Sequence, residues 1–277
     1  MKKTLSLILF GILAVVLVGY GISSLFEDDN LKITDSTVTD LTVTDSTAAD
    51  TTADVSRTEQ VFAPVETTEP DKIEDYEYAY AGFEPAYANV DIEDWKMLLV
   101  NRDYILPEDF EVELAPCITS DPDSLKLDYR VAPHYNEMYL AALDDGIELM
   151  PVSGYRSVER QQRNFKNKIQ LYIDQGYGKI EATQMAATII LPPGTSEHNA
   201  GLAMDICSLE QNFEETEEFA WLCENAADYG FIMRCPEDKQ DITKIIYEPW
   251  HWRYVGVETA KEMKASGECF EEYLGVA

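Results

Sequence analysis

Apolar residues recur at helical spacing in several segments of the C-terminal part of the chain, and stop signals separate these segments. Ser157 precedes one segment as a candidate N-cap, and Gly146, Gly176 and Gly230 follow segments at points where a helix would end. Spacing and stop signals together predict five helices, at residues 128–145, 158–175, 179–188, 216–229 and 257–265.

Short apolar or alternating runs lie between these helices and predict strands. The runs cover residues 147–152, 202–206, 231–234, 244–247 and 251–255. Alternation in the last run places His251 and Arg253 on one face and Trp252 and Tyr254 on the other. Most helices precede the strands, and the late strand connections are short. The pattern therefore favours an α+β fold, a single domain with a small antiparallel sheet flanked by helices.

The N-terminus has a different pattern. Two lysines precede an apolar run from Leu5 to Phe26, which is close to the ~20 residues that span a bilayer. Lysines before the run and acidic residues after it favour a cytoplasmic N-terminus. We therefore expect residues 1–26 to be a signal-anchor or transmembrane segment, with the rest of the chain outside the membrane. Cleavage as a signal peptide near residues 21–24 is the alternative.

The composition of the next segment argues against a packed core. Residues from 27 to about 70 are rich in Thr, Asp, Ser and Ala, with a crude repeat and few large apolar side chains. We expect residues 27–91 to form a disordered acidic stalk and residues 92–277 to form the folded domain. The tyrosine-rich stretch at 70–90 fits either more linker or a strap packed against the domain.

Net charge and cysteine spacing exclude several function classes. The formal net charge is −31 at pH 7, which argues against nucleic acid, whose phosphates need Lys and Arg partners. The same charge argues against electrostatic docking on anionic lipid. The five cysteines include no CxxC pair, so a cysteine zinc site is not expected, and their disulfide pairing is left open.

The chain has only three histidines, and two of them lie close to carboxylates. His198 and Asp205 share the segment SEHNAGLAMD, and Glu248 precedes His251 in EPWH. Two imidazoles and one carboxylate form a three-ligand set for Zn²⁺ with an open fourth position. Glu248 is then free to act as the base on a water molecule. We predict this zinc site on the sheet, and we expect His134 to be a surface or helix-cap residue.

Other polar residues near these segments are candidate substrate contacts. Arg156, in SGYRS at the end of a predicted strand, is suited to gripping a carboxylate through two parallel hydrogen bonds. The plain alternative is an ion pair with a local acid. Gln161 lies one helical turn further and can add an amide contact. Ser196 can donate to a substrate carbonyl or simply shape the loop.

Five segments resemble one known family. SGYRS, SEHNAGLAMDI, YGFIMR and YEPWHWRYVG, in this order and together with LLVNRDYILPEDF, resemble the VanY-like zinc D-alanyl-D-alanine carboxypeptidases of the vancomycin-resistance type. The resemblance covers about residues 95–265. It implies His198, Asp205 and His251 as zinc ligands, Glu248 as catalytic base, and Arg156, Gln161 and Ser196 as substrate contacts. One departure is Cys235, at a position where the family tends to carry an aromatic residue, usually Tyr.

The resemblance implies a function at the bacterial cell surface. We expect a monomeric, membrane-anchored zinc metallopeptidase that removes the terminal D-alanine from peptidoglycan stem peptides. An L,D-carboxypeptidase or a peptidoglycan endopeptidase with the same zinc chemistry is the nearest alternative. A non-catalytic cell-wall-binding module is more distant, because such a module has no need of a base at Glu248. A surface adhesin is suggested by the stalk alone.

Overall fold

The structure, a computed structural model, describes residues 82–118 and 125–277. Within these ranges the fold is α+β, as the pattern predicts. The strands are β1 Ala86–Tyr87, β2 Tyr104–Ile105, β3 Leu114–Pro116, β4 Lys126–Asp128, β5 Pro151–Ser153, β6 Ala203–Ile206, β7 Phe231–Cys235 and β8 Glu248–Tyr254. The α-helices are α1 Ala132–Asp144, α2 Val158–Asp174, α3 Lys179–Ala186, α4 Glu217–Asn225, α5 Gln240–Thr243, α6 Val257–Ser266 and α7 Phe270–Tyr273.

A four-stranded sheet carries the predicted site. Its order is β5-β6-β8-β7, and every neighbouring pair is antiparallel. Ser153, Asp205 and His251 lie side by side on β5, β6 and β8. At the β7 edge Cys235 lies opposite Glu248. The register of the sheet therefore aligns residues that are far apart in the sequence.

Three apolar clusters hold the helices to this sheet and to one another. The largest joins α1 to the sheet, with Tyr135 and Trp252 among its buried members. A second lies between α2 and α3 around Phe165 and Ala182. The third packs α6 and α7 against β7 and contains the fully buried Phe270. The helices thus pack against the sheet and one another, and α2 also lines the site through Gln161.

The predicted cap of α2 is confirmed, whereas other predicted bounds differ from the structure. The helix predicted from residue 128 begins at Ala132, because Asp128 belongs to β4. Ser157 accepts a hydrogen bond from the backbone of Arg160 at the start of α2, as predicted. The predicted helix at 216–229 is instead α4 followed by a 3-10 turn at Ala226–Tyr229. The run at 147–152 is regular strand only from Pro151.

The predicted strand at 244–247 is wrong. Lys244 ends α5 in a left-handed conformation, and the strand begins only at Glu248. Proline lacks the backbone N–H that pairs neighbouring strands, so Pro249 indicates from the sequence alone that no strand runs through this position. The pairing of β7 with β8 contains a register shift between Met233 and Cys235, and β8 continues through Pro249 at this irregularity.

The domain includes residues that the sequence assigned to the stalk. β1 pairs with β2 in parallel, so packed structure precedes the expected start at residue 92. Phe83 is buried in the cluster of α2 and α3, and the guanidinium carbon of Arg102 lies 3.9 Å from its ring centroid. Ala88 is buried in the largest cluster. The part of the tyrosine-rich stretch from residue 82 onward is therefore a strap against the domain.

The predictions for residues 1–26 and for the stalk up to residue 81 fall outside the described residues. Across the described ranges, none of the helices combines the length and the apolar character needed to cross a bilayer. All five cysteines lie within these ranges, and none forms a disulfide.

Candidate metal centre

A turn and a strand bring His198 and Asp205 to one point. His198 lies in a 3-10 turn at Glu197–Ala200, which begins at Ser196 and ends at Gly201. Gly201 has φ +68°, and a Cβ there would lie 2.7 Å from the backbone nitrogen of Asp128. Only glycine combines this conformation with this close approach. The chain then enters β6 and presents Asp205 toward the ring of His198.

His251 reaches the same point from β8. His198 Nε2 lies 3.3 Å from Asp205 Oδ2, and His251 Nδ1 lies 2.9 Å from Asp205 Oδ1. One ligand atom from each of the three residues lies within 4.8 Å of the others, and all three residues are buried. Ligands at about 2.0–2.2 Å from zinc in a tetrahedral site lie about 3.4 Å apart, and the two contacts with Asp205 are close to this value. Two imidazole nitrogens and a carboxylate oxygen thus fit a zinc ion.

The outer nitrogens of the two rings are also occupied. His198 Nδ1 lies 2.8 Å from the carbonyl oxygen of Gly154, which leaves Nε2 for the shared point. His251 Nε2 lies 3.3 Å from Glu197 Oε2, which leaves Nδ1. Metal-binding histidines characteristically donate their other N–H to a carbonyl or carboxylate in this way.

The three residues of the cluster change one another's pKa values. Burial raises the pKa of the Asp205 carboxyl, but the two imidazoles outweigh burial and hold that pKa below its usual range. Burial lowers the pKa of His198, which favours the neutral ring. Burial also lowers the pKa of His251, but hydrogen bonds to Asp205 and Glu197 prevail and raise it to about 10. Asp205 would offer an anionic ligand to a cation, and His251 would have to release a proton to bind it.

Glu248 is a second carboxyl group beside the triad. It begins β8, three residues before His251, and lines the same cavity of about 270 Å³. The residue is 8% exposed. Burial raises its pKa to about 8 and outweighs the opposing charges of His251 and Arg156. Without a metal, Glu248 therefore holds a proton more readily than an exposed carboxyl group.

Arg156 faces the cavity from the loop before α2. Its Nη1 donates to Gln161 Oε1 at 2.7 Å and its Nη2 to Ser153 Oγ at 2.9 Å, while Nη2 lies 3.7 Å from Asp205 Oδ2. The buried Nε has no hydrogen-bond partner. The guanidinium of Arg156 is therefore held through Nη1 and Nη2, and its Nε–H is still available as a donor. This arrangement suits an anionic ligand.

Gln161 and Ser196 are placed at the cavity but have internal partners. Gln161 accepts from Arg156 and donates from Nε2 to the carbonyl of Leu191 at 2.5 Å, so both ends of its amide are engaged. Ser196 Oγ accepts from the backbone of His198 at 3.4 Å. His134 is partly exposed and stacks on Tyr254, away from the triad.

Sequence reasoning missed Glu197. This residue is buried between His251 and the guanidinium groups of Arg234 and Arg253, whose nearest nitrogens lie 2.8 and 3.4 Å from Glu197 Oε1. Burial raises the pKa of Glu197, but the two arginines dominate and hold it below its usual range. The available signal was an acidic residue directly before His198 in the SEHNAGLAMD segment.

An α+β domain that buries a candidate metal-binding triad beside a second carboxyl group has the arrangement expected of a metallopeptidase. The sequence model of the family described as VanY, D-alanyl-D-alanine carboxypeptidase, matches residues 124–257, and the chain belongs to this family. A D-alanyl-D-alanine carboxypeptidase of Enterococcus faecalis is 39% identical over 184 residues, covering 66% of this chain and 67% of that protein. The putative carboxypeptidase YodJ of Bacillus subtilis is 38% identical over 194 residues, covering 64% and 66%.

Solved structures agree with this membership. VanYB in complex with D-alanine-D-alanine has a TM-score of 0.57 at 39% identity, covering 65% of this chain and 98% of that one. A variant of the D,D-pentapeptidase VanY in complex with Zn(II) has a TM-score of 0.56 at 40% identity, covering 65% and 99%. The LD-carboxypeptidase LdcB is also similar, with a TM-score of 0.57 at 32% identity, covering 76% and 94%.

Proposed function

We infer that this protein is a zinc-dependent D-alanyl-D-alanine carboxypeptidase that removes the terminal D-alanine from peptidoglycan stem peptides. The observation that carries this inference is a single cavity lined by the triad, by Glu248 and by Arg156. A relative solved with D-alanine-D-alanine supports the substrate class. The same chemistry on an L,D-linked peptide is the second candidate, because the similar protein LdcB is an LD-carboxypeptidase.

His198, Asp205 and His251 would hold the zinc ion. When bound, zinc supplies Lewis-acid chemistry, which polarises a scissile carbonyl and makes water a nucleophile near neutral pH. The protein contributes a fixed geometry, since two ligands lie on paired strands and the third in a turn closed by Gly201.

Glu248 is the proposed general base and acid. Its carboxylate takes a proton from the attacking water, and the resulting carboxylic acid gives that proton to the amine of the departing D-alanine. The position of Glu248 at the start of β8, beside but outside the triad, supports this role.

Arg156 is the proposed anchor for the terminal carboxylate of the peptide. Holding this group at a fixed distance from the triad makes cleavage stop one residue from the end. Gln161 and Ser153 hold the guanidinium, so Gln161 acts on the substrate through Arg156. Ser196 accepts from a backbone N–H and keeps its own hydroxyl hydrogen to donate to a substrate carbonyl.

Release of free D-alanine tests the assignment. The zinc-loaded protein is incubated with a stem pentapeptide ending in D-Ala-D-Ala and with the tetrapeptide that remains after one cleavage, and products are identified by mass spectrometry. We expect D-alanine from the pentapeptide and a loss of turnover of at least about 100-fold in Glu248→Gln. Release from the tetrapeptide alone would favour the L,D-specificity. Full activity in Glu248→Gln would contradict the mechanism.

We propose that residues 1–26 anchor the protein and that residues 27–81 form a stalk to the domain that begins near Gly82. The long apolar run and the acidic, core-poor composition that follows it support this arrangement. Fractionation of cells that express the full chain, with N-terminal sequencing of the product, tests it. We expect an intact N-terminus in the membrane fraction, whereas a product that starts near residue 25 in the medium would establish secretion.

A further inference from the structure

Glu197 is enclosed between an arginine and the outer nitrogen of a candidate metal-binding histidine. Its Oε1 accepts from Arg234 Nε at 2.8 Å, and its Oε2 lies 3.3 Å from His251 Nε2. The side chain is 4% exposed. Both oxygens of this carboxylate are therefore committed to protein partners, and one partner belongs to the triad.

The contact with Glu197 would fix the position of one ring proton of His251 once a metal is bound. Both ring nitrogens face carboxylates, Nε2 toward Glu197 Oε2 at 3.3 Å and Nδ1 toward Asp205 Oδ1 at 2.9 Å, and a carboxylate accepts hydrogen bonds but cannot donate one. A metal bound beside Asp205 would take the place of the hydrogen on Nδ1, and Glu197 would keep the hydrogen on Nε2. The opposite tautomer would place a hydrogen on Nδ1 and exclude that nitrogen from binding a metal.

A buried ionic network fixes Glu197 from the side away from the cavity. Arg234 also donates from Nη1 and Nη2 to Glu271 of α7, at 2.9 and 2.5 Å. Asn101 donates to Glu271 at 2.9 Å, and Arg253 Nη1 lies 3.4 Å from Glu197. Two guanidinium groups thus balance two carboxylates, and buried charges need such pairing to be tolerated. Guanidinium groups can only donate hydrogen bonds, so Glu197 Oε1 is the acceptor in these contacts.

We propose that Glu197 is a positioning residue for the metal site, which holds His251 in the Nε2–H tautomer with Nδ1 free to bind the metal. Arg234 and Arg253 pair with the other oxygen of Glu197. This proposal rests on the zinc-dependent function proposed above. It assigns to the second residue of the SEHNAGLAMD segment a role that spacing alone does not indicate.

Glu197→Gln is a sharp test because it keeps the shape of the side chain and changes its hydrogen bonding. An amide has one oxygen, so its NH₂ group must face either Arg234 or His251. If the NH₂ group faces His251, it donates to Nε2 and the ring proton must move to Nδ1. If it faces Arg234, it places a donor against the donors of two arginines. Glu271→Gln is the matched control, since Glu271 is equally buried and binds the same arginine but does not contact His251.

Zinc affinity, measured by competition with a chelator, is the first readout. We expect Glu197→Gln to bind zinc about 10–100-fold more weakly than wild type, which is typical when the outer partner of a metal-binding histidine is removed. Glu271→Gln is expected to lose thermal stability and to keep zinc affinity within a few-fold of wild type. Equal weakening in the two variants, or unchanged affinity in Glu197→Gln, would overturn the proposal.

Nitrogen NMR of the histidine rings in wild type gives a second readout that does not depend on a variant. We expect the zinc-loaded protein to carry a proton on His251 Nε2 and to bind the metal through Nδ1. A metal bound through Nε2 would overturn the positioning role even if Glu197→Gln failed to fold. Absence of zinc binding by wild type would instead contradict the proposed function, so the two failures are distinguishable.

Discussion

Asp205 and His251 lie directly opposite each other on the antiparallel strands β6 and β8, and their facing atoms Oδ1 and Nδ1 are 2.9 Å apart. Side chains alternate between the two faces of a sheet, so a shift of one residue in this pairing would turn one of them to the other face. Two of the three candidate ligands are thus positioned by strand register. Only His198 depends on the conformation of a loop.

Zinc is expected to stabilise the folded protein through this triad. At a free zinc concentration 100 times the Kd, a ligand that binds only the native state adds about 2.7 kcal/mol to the free energy of unfolding. Asp205→Asn removes the anionic ligand and should abolish the increase. Thermal unfolding after chelation, with and without added zinc, measures it. Asp145→Asn, whose carboxylate accepts from Trp221 away from the triad, should respond like wild type.

Arg156→Lys should weaken catalysis through loss of the terminal carboxylate contact. Lysine carries a single compact charge and cannot reproduce a planar fork held by Gln161 and Ser153. Loss of a charged hydrogen bond of about 1.5–3 kcal/mol corresponds to a fall in kcat/KM of about 10–100-fold. Steady-state release of D-alanine measures the change. The exposed Arg160, in the first turn of α2, provides the control: Arg160→Lys should leave kcat/KM unchanged.

Glu248 should make the metal-free protein less stable as the pH rises. Its pKa is raised from 4.5 to about 8 by burial, so between these values the native state binds a proton that the unfolded state has lost. The stabilising protonation is complete below pH 4.5 and is lost as the pH approaches 8. Glu248→Gln removes this pH dependence. Its free energy of unfolding should rise relative to that of wild type by up to a few kcal/mol between pH 4.5 and pH 8.

Denaturant unfolding of both proteins after chelation, at several pH values, measures the difference. We expect the difference in free energy of unfolding between Glu248→Gln and wild type to grow up to about pH 8 and to level off above it. A gain that is the same at every pH would show that Glu248 ionises normally in the folded protein.

Gly154→Ala should disturb the metal site through the backbone. A Cβ at Gly154 would collide with the carbonyl oxygen of Lys126, and relief requires movement of the same residue whose carbonyl contacts His198 Nδ1. We expect lower stability together with weaker zinc binding. Gly178→Ala is a matched control, because nothing lies within 4 Å of the added methyl group. Comparable loss in both variants would contradict the steric argument.

The sequence located the site more accurately than it located the strands. The residues of the triad, Glu248 and Arg156 share short motifs, and local spacing was enough to single them out for a site that the structure then assembles in one cavity. The roles of these residues stay predictions that the experiments above address. The start of β8 was missed because Pro249 suggests a break, and only the irregular pairing with β7 explains its presence in a strand.

Glu197 could not have been found from local spacing, for a physical reason. Its partners Arg234 and His251 lie 37 and 54 residues away in the sequence. Arg234 in turn depends on Glu271, another 37 residues further. Such a network is defined by tertiary packing alone. The packed strap near Phe83 was underestimated for the same reason, since its partners are the distant helices α2 and α3.

The hydrogen bond between Asn101 and Glu271 joins residues 170 positions apart. Bringing together segments so distant carries a large loop-closure entropy, so contacts of this kind tend to form late in folding. The buried network around Glu197 therefore includes the last helix of the fold, and a chain that has already paired β6 with β8 has not completed that network until α7 has docked.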